Sequence, residues 1–159
     1  MAQPNKVTYP LPANSEINIS CEANAAYLQR VTVTIPGDAT SPYSFEGVGE
    51  PGDMTLVNRV DAIELASSDT ERPAIFTFEF DSSGTGTQFQ PSPTVLQPYV
   101  KATPWGSLIT IASEDGVDAD NNDSIVFINT AIIAQLDGAA KASGMWERGE
   151  EKGVRKLKV

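Results

Sequence analysis

The chain has 159 residues, a formal net charge of −10, one cysteine and no histidine. That length suits one domain with a real core, and the acidic balance argues against nucleic-acid phosphates and against a polybasic membrane contact. A lone Cys21 excludes an intrachain disulfide, and the missing histidine removes any Ser-His-Asp or Cys-His site within the chain.

No apolar stretch approaches the length of a transmembrane helix, and Met1 to Lys6 opens no secretory signal. Cytoplasmic synthesis is expected, with any release or cell-surface attachment following a route that the sequence does not display. Charge is unevenly distributed. Residues 1–138 carry 18 Asp+Glu against 5 Lys+Arg, whereas 139–159 carry 6 Lys+Arg against 3 Asp+Glu. The expected organisation is therefore a β-domain over 1–138 and a basic tail over 139–159, flexible or forming a short helix.

Twelve glycines and eleven prolines among short Thr-, Val- and Ile-rich runs predict an all-β, antiparallel sandwich. Val7 to Leu11 reads as a short strand ended by Pro12. Ile17 to Glu22 alternates Ile17, Ile19 and Cys21 with polar neighbours, the period of a half-buried strand, and Cys21 is expected as a small buried hydrophobe. A turn is predicted at Asn24-Ala25-Ala26. The next strand, Leu28 to Ile35, points Val31, Val33 and Ile35 one way, and Pro36-Gly37-Asp38 stops it. Tyr43 and Phe45 are expected to cover one end of the core, and Thr55 to Leu65 to form one or two short strands. Ala74 to Phe80 is a strong strand whose Phe76, Phe78 and Phe80 share a face; three aromatics at period two belong in a core. Ser82 to Thr87 lacks the Lys and the following helix of a phosphate loop and is expected as a hairpin tip. Pro91 to Pro98 reads as an edge crossing. Val95, Leu96, Tyr99, Val100 and Trp105 are expected to pack on the core.

Two apolar, β-branched runs, Ser107 to Ala112 and Ser124 to Asn129, flank the most informative stretch, Ser113 to Asp123. Five carboxylates, Glu114, Asp115, Asp118, Asp120 and Asp123, fall in its last ten residues. Crowded like charges raise one another's pKa, so the loop is either a solvated acidic turn or a cation site. Calcium suits it, taking six to eight hard oxygens in flexible geometry, and Gly116 permits a tight bend. An EF-hand does not fit: Asp123 stands where Gly is required, Asn129 where the closing Glu is required, and the flanks are strands.

The loop and its exit strand, Ser113 to Asn129, resemble the calcium loop of the bacterial fucose/mannose-binding lectin II family. Leu11-Pro-Ala-Asn14, followed ten residues later by Asn24, resembles the same family's opening. The specific matches cover about a quarter of the chain. The resemblance implies a sandwich of about nine strands holding two adjacent Ca2+ ions, whose coordination is completed by neighbouring sugar hydroxyls. By position, it makes Glu114, Asp118, Asp120, Asn122 and Asp123 the metal ligands, with Asp120 and Asp123 bridging both ions. Asn24 adds its backbone carbonyl, and Asp115 hydrogen-bonds a sugar hydroxyl. Sugar contact falls on Asn24, Ala25, Ala26, Asp115, Asp118, Asp120 and Asp123.

Serines after the Asn favour fucose in that family, and the Ala25-Ala26 pair resembles members that prefer mannose. Tyr27 is bulkier than the residue expected next and is placed to stack on, or block, part of the site. The resemblance also implies a homodimer in which a terminal glycine carboxylate reaches a neighbour's calcium. Here Ile133 stands at that position and the chain runs on; Asp137 is the nearest substitute. The reading is a non-enzymatic lectin for mannose- or fucose-type glycans, a homodimer or higher oligomer, with no nucleic-acid partner and no membrane insertion. Two others stay open: a β-domain that calcium only stiffens, and a glycoside hydrolase using two loop carboxylates.

Overall fold

The computed structural model describes residues 4–57, 62–116, 120 and 122–133, together with the backbone of 146–148 and 155–157. The strands are β1 (Lys6–Leu11), β2 (Ser15–Thr34), β3 (Tyr43–Leu56), β4 (Ala62–Leu65), β5 (Arg72–Asp81), β6 (Gln90–Pro91), β7 (Thr94–Val95), β8 (Tyr99–Thr103), β9 (Gly106–Glu114) and β10 (Ser124–Ile132). All ten join one antiparallel sheet, where about nine strands are expected; β6 and β7 are only two residues long. No described helix is long and apolar enough to cross a membrane.

The sheet is organised around β2. Its first half pairs with β10 on one side and with β4 on the other, Ile19 lying opposite both Ile128 and Ile63. Its second half pairs with β5 in place of β10, and β3 follows β4 along the other side from Cys21 to Val33, so that Val31 lies opposite Phe78 and Phe45. One strand thus serves both layers of the sandwich. The change of partner falls at two register shifts against β3, between Ala23 and Ala25 and between Ala25 and Gln29. A bulge leaves residues out of the ladder and bends the strand, which is how strands pass from one sheet to another. The turn predicted at Asn24-Ala25-Ala26 is this bulge: the local signal to leave regular pairing is real, but both halves continue in one strand.

The inward faces meet in one core. Ile17, Ile19, Cys21, Val31, Val33 and Ile35 from or just beyond β2 pack with Phe45, Phe76, Phe78, Ile109, Ile111, Val126 and Ile128. Phe45 is fully buried rather than cover, while Tyr43 is half-buried and its hydroxyl donates to Asp38 Oδ2 at 2.7 Å. Burial pushes the Cys21 thiol up, as for an inert packing group.

Phe80 keeps the face of Phe76 and Phe78, opposite Gln29, but is half-buried where the core ends. Asp81, next to it, is buried. Its carboxylate accepts backbone N–H groups from Ser83, Gly86, Thr87 and Gln88 at 2.8 to 3.1 Å, and the Ser83 hydroxyl as well. The hairpin tip of residues 82–88 is thus folded around one buried carboxylate, whose pKa is held well below its usual value, chiefly by the Ser83 hydroxyl.

Val95 packs on the core as expected, but Leu96, Tyr99, Val100 and Trp105 are exposed, Tyr99 to 70%. Among the described residues β8 pairs only with β9, and no second layer covers those side chains. Asn14 of the Leu11-to-Asn14 motif occupies the left-handed region, φ 53°, in the turn from β1 to β2, a conformation that Asn tolerates. In the tail, β11 (Trp146–Arg148) pairs with β12 (Arg155–Leu157) in a separate ladder, where a short helix or flexible tail is expected from the sequence.

Candidate metal centre

The acidic loop closes the β9–β10 hairpin. Ser113 lies opposite Ser124, and the Asp123 amide donates to the Ser113 carbonyl at 2.9 Å, so the ladder runs right up to the loop. Glu114, the last residue of β9, and Asp123, just before β10, are held side by side. Gly116 makes the turn between them with φ +93°, a value other residues reach only with strain.

The loop folds its carboxylates inward. Glu114, Asp115 and Asp123 are 5%, 6% and 5% exposed, which for carboxylates demands a partner. One carboxylate oxygen from each of Glu114, Asp120 and Asp123 lies within 4.8 Å of the others, with Asp120 on the solvent side. Backbone amides partly compensate: Gly116 N donates to Glu114 Oε1 at 2.9 Å and Asp115 N to Asp123 Oδ2 at 2.5 Å. They are not enough. Burial, reinforced by the charges of Asp115 and Glu114, pushes the Asp123 carboxyl up to about 7, although the Asp115 amide pulls it down. Asn122 Oδ1, in the same loop, is buried without a hydrogen-bond partner among the described residues. Converging carboxylates with an orphaned neutral oxygen beside them form an all-oxygen donor set suited to a hard divalent cation.

Pairing of β2 with β10 brings in the second motif. Asn24 N donates to the Asp123 carbonyl at 2.8 Å, so the bulge of β2 lies directly against the acidic loop. Ala25 is 2% exposed and Ala26 is exposed, so of that pair only Ala26 offers its side chain to a ligand. Asp118 lies outside the described residues. Glu114, Asp115, Asp120, Asn122 and Asp123 share one loop end, with Asn24, Ala25 and Ala26 beside it.

One positioning residue escapes the sequence reading. Gln29 is fully buried; its Nε2 donates to Asp115 Oδ2 and to the Tyr27 carbonyl, each at 3.2 Å, and its Oε1 accepts from Ser124 Oγ at 3.0 Å. It ties the bulge, the loop and the start of β10 together. The signal was available: the inward set Val31, Val33, Ile35 extended back by two falls on Gln29, a polar group on a buried face.

The position expected to hold a terminal carboxylate is backbone. Ile133 N donates to the Asn14 carbonyl at 3.2 Å; Asp137 lies outside the described residues.

Comparison with known proteins bears on the remaining possibilities. The sequence model of the fucose-binding lectin II (PA-IIL) family matches residues 9–132, most of the chain and every site residue above. The chain belongs to the fucose-binding lectin II family. The matched span ends with the last residue of β10. Among solved structures, a high-affinity mannose-binding lectin of Ralstonia solanacearum aligns at 23% identity with a TM-score of 0.54, covering 80% of this chain and 96% of that one. A Chromobacterium violaceum lectin in complex with alpha-methyl-fucoside gives the same values. The C-terminal domain of a Burkholderia cenocepacia lectin aligns at 24% identity, TM-score 0.52, over 77% of this chain and 92% of that one. At these identities the likeness shows the fold. No curated protein sequence matches the chain.

Proposed function

We propose that this lectin-family chain binds mannose in preference to fucose through two calcium ions, and performs no chemistry on the sugar. The observation that carries the reading is the convergence of Glu114, Asp120 and Asp123 within 4.8 Å against the Asn24 bulge. Asp118, Asn122 and the Asn24 carbonyl complete the proposed metal ligands, and Asp115 is the proposed sugar hydrogen-bonder. Calcium bound there supplies hard-oxygen coordination that paired ring hydroxyls complete in place of water. The buried carboxylates fix the ligand geometry beforehand, and Gln29 holds Asp115 in place. Carboxylate oxygens this close are also nearer than the roughly 5 Å or more that separates the acid–base pair of a glycosidase, which favours binding over hydrolysis.

The Ralstonia protein's stated ligand is mannose and the Chromobacterium protein's is a fucoside. Here Ala26 presents a methyl where a serine would hydrogen-bond fucose, a loss of about 1 kcal/mol. We assign the lectin unit to residues 1–138 and a separate basic tail to 139–159. A homodimer or higher oligomer would give the avidity that single sites lack on a glycan-coated surface. The test is titration calorimetry with methyl mannoside and methyl fucoside, in calcium and after chelation. Heat confined to calcium, larger affinity for the mannoside, and no sugar turnover are expected.

A second reading, a β-domain that calcium only stiffens, is favoured by one observation. Ile133, at the position of the family's terminal carboxylate, is peptide backbone bonded to Asn14. Calcium-dependent melting without sugar heat would select it.

A further inference from the structure

Between Ala25 and Gln29, three residues of β2 stand opposite the single Val48 of β3. The middle one, Tyr27, is half-buried and its ring stacks on that of Phe80, centroids 6.0 Å apart and planes 15° from parallel. Phe80 is available for this because it lies half-buried, outside the core cluster that holds Phe76 and Phe78. The Tyr27 backbone is in turn tied to the metal centre: the Gln29 amide nitrogen that holds Asp115 also holds the Tyr27 carbonyl. The residue is therefore held twice, its ring by the stacked Phe80 and its backbone by the network of the acidic loop. Next to it stands Ala26, exposed and carrying only a methyl.

The geometry points to Tyr27, backed by Phe80, as an aromatic platform for the second sugar residue of an oligosaccharide whose first residue occupies the calcium site. This inference rests on the lectin reading. A sugar ring presents a patch of C–H groups on one face, which pack on an aromatic face while the hydroxyls stay in water. A ring already stacked loses little freedom when a ligand arrives, so the contact favours affinity. The ligand class is an α-linked oligomannoside rather than free mannose.

Calorimetry of the full chain in calcium, with methyl α-mannoside and with α-linked mannobiose, tests it. The unaltered protein should bind the disaccharide about five-fold more tightly or better, beyond the two-fold that two equivalent ends confer. Tyr27→Ala should bring that ratio down to about two while leaving the methyl mannoside Kd within about two-fold, and Tyr27→Phe should keep it. Phe80→Leu, which removes the backing ring but not Tyr27, should lower the ratio part-way. A ratio of two or less in the unaltered protein overturns the inference. So does tighter binding of both sugars by Tyr27→Ala, which would make the ring an obstruction. A lower melting temperature in Tyr27→Ala with the ratio intact would make the stack structural and overturn it too. If methyl mannoside itself fails to bind, the lectin reading falls, and the platform with it.

Discussion

Asp123 carries the clearest consequence at the scale of single residues. Its folded-state pKa of about 7 stands above that of a free carboxyl, so the metal-free fold binds a proton there that the unfolded chain does not. That stabilising contribution is full below about pH 4 and is lost as pH rises through about 7. Melting of chelated protein should therefore fall across that window at this site, and calcium should reverse the fall at its upper end. Asp123→Asn should flatten both responses. Asp81 runs the other way. Its lowered pKa makes its contribution present at neutral pH and lost on acidification, and Asp81→Ala should lower the melting temperature by several degrees and open residues 82–88 to proteolysis, with calcium binding retained. Gln29→Leu keeps the volume but removes the link between Asp115 and Ser124. Calcium affinity, read by calorimetry, should drop about ten-fold with secondary structure unchanged, as when partners that orient metal ligands are lost.

At the scale of elements, the strands legible in the sequence are those whose two faces differ. Val31, Val33 and Ile35, or Phe76 and Phe78, alternate cleanly because one side meets the core and the other does not. Truncating such a position, as in Phe76→Ala, should cost about 4 kcal/mol in urea unfolding. The acidic loop was legible for the same local reason: nothing but a cation or water stabilises that many adjacent carboxylates. What could not be read locally depends on which strands lie alongside. Asn24 to Ala26 carry turn residues, yet whether the chain reverses or merely bulges is decided by β10 and β5 pairing with successive halves of β2. Tyr99 and Trp105 have the composition of core and lie outside it because, among the described residues, β8 has no neighbour beyond β9. Phe80 keeps the inward register of Phe76 and Phe78 but stands where the core ends, stacked on Tyr27, which only the placement of the β2 bulge decides.

For the whole molecule, stability and function are expected to share one control. A ligand that binds only the folded state adds about 2.7 kcal/mol at one hundred times its Kd, so calcium should raise the melting temperature in proportion to the logarithm of its concentration, and chelation should abolish the rise. The bulge of β2 sets how readily the recognition surface can change. Ala26 and Tyr27 lie where β2 has three residues for one of β3 and before its ladder with β5 begins at Leu28, so their side chains can be exchanged without breaking a run of matched strand partners. Substitutions a few positions away, at Ile19 or Val31, would disturb a packed interior instead. Variation is cheap at these two positions beside the proposed ligand and expensive almost everywhere around them. A library randomised at Ala26 and Tyr27 should yield mostly folded proteins with altered glycan preference, so that this corner of the fold is where new specificities can be selected.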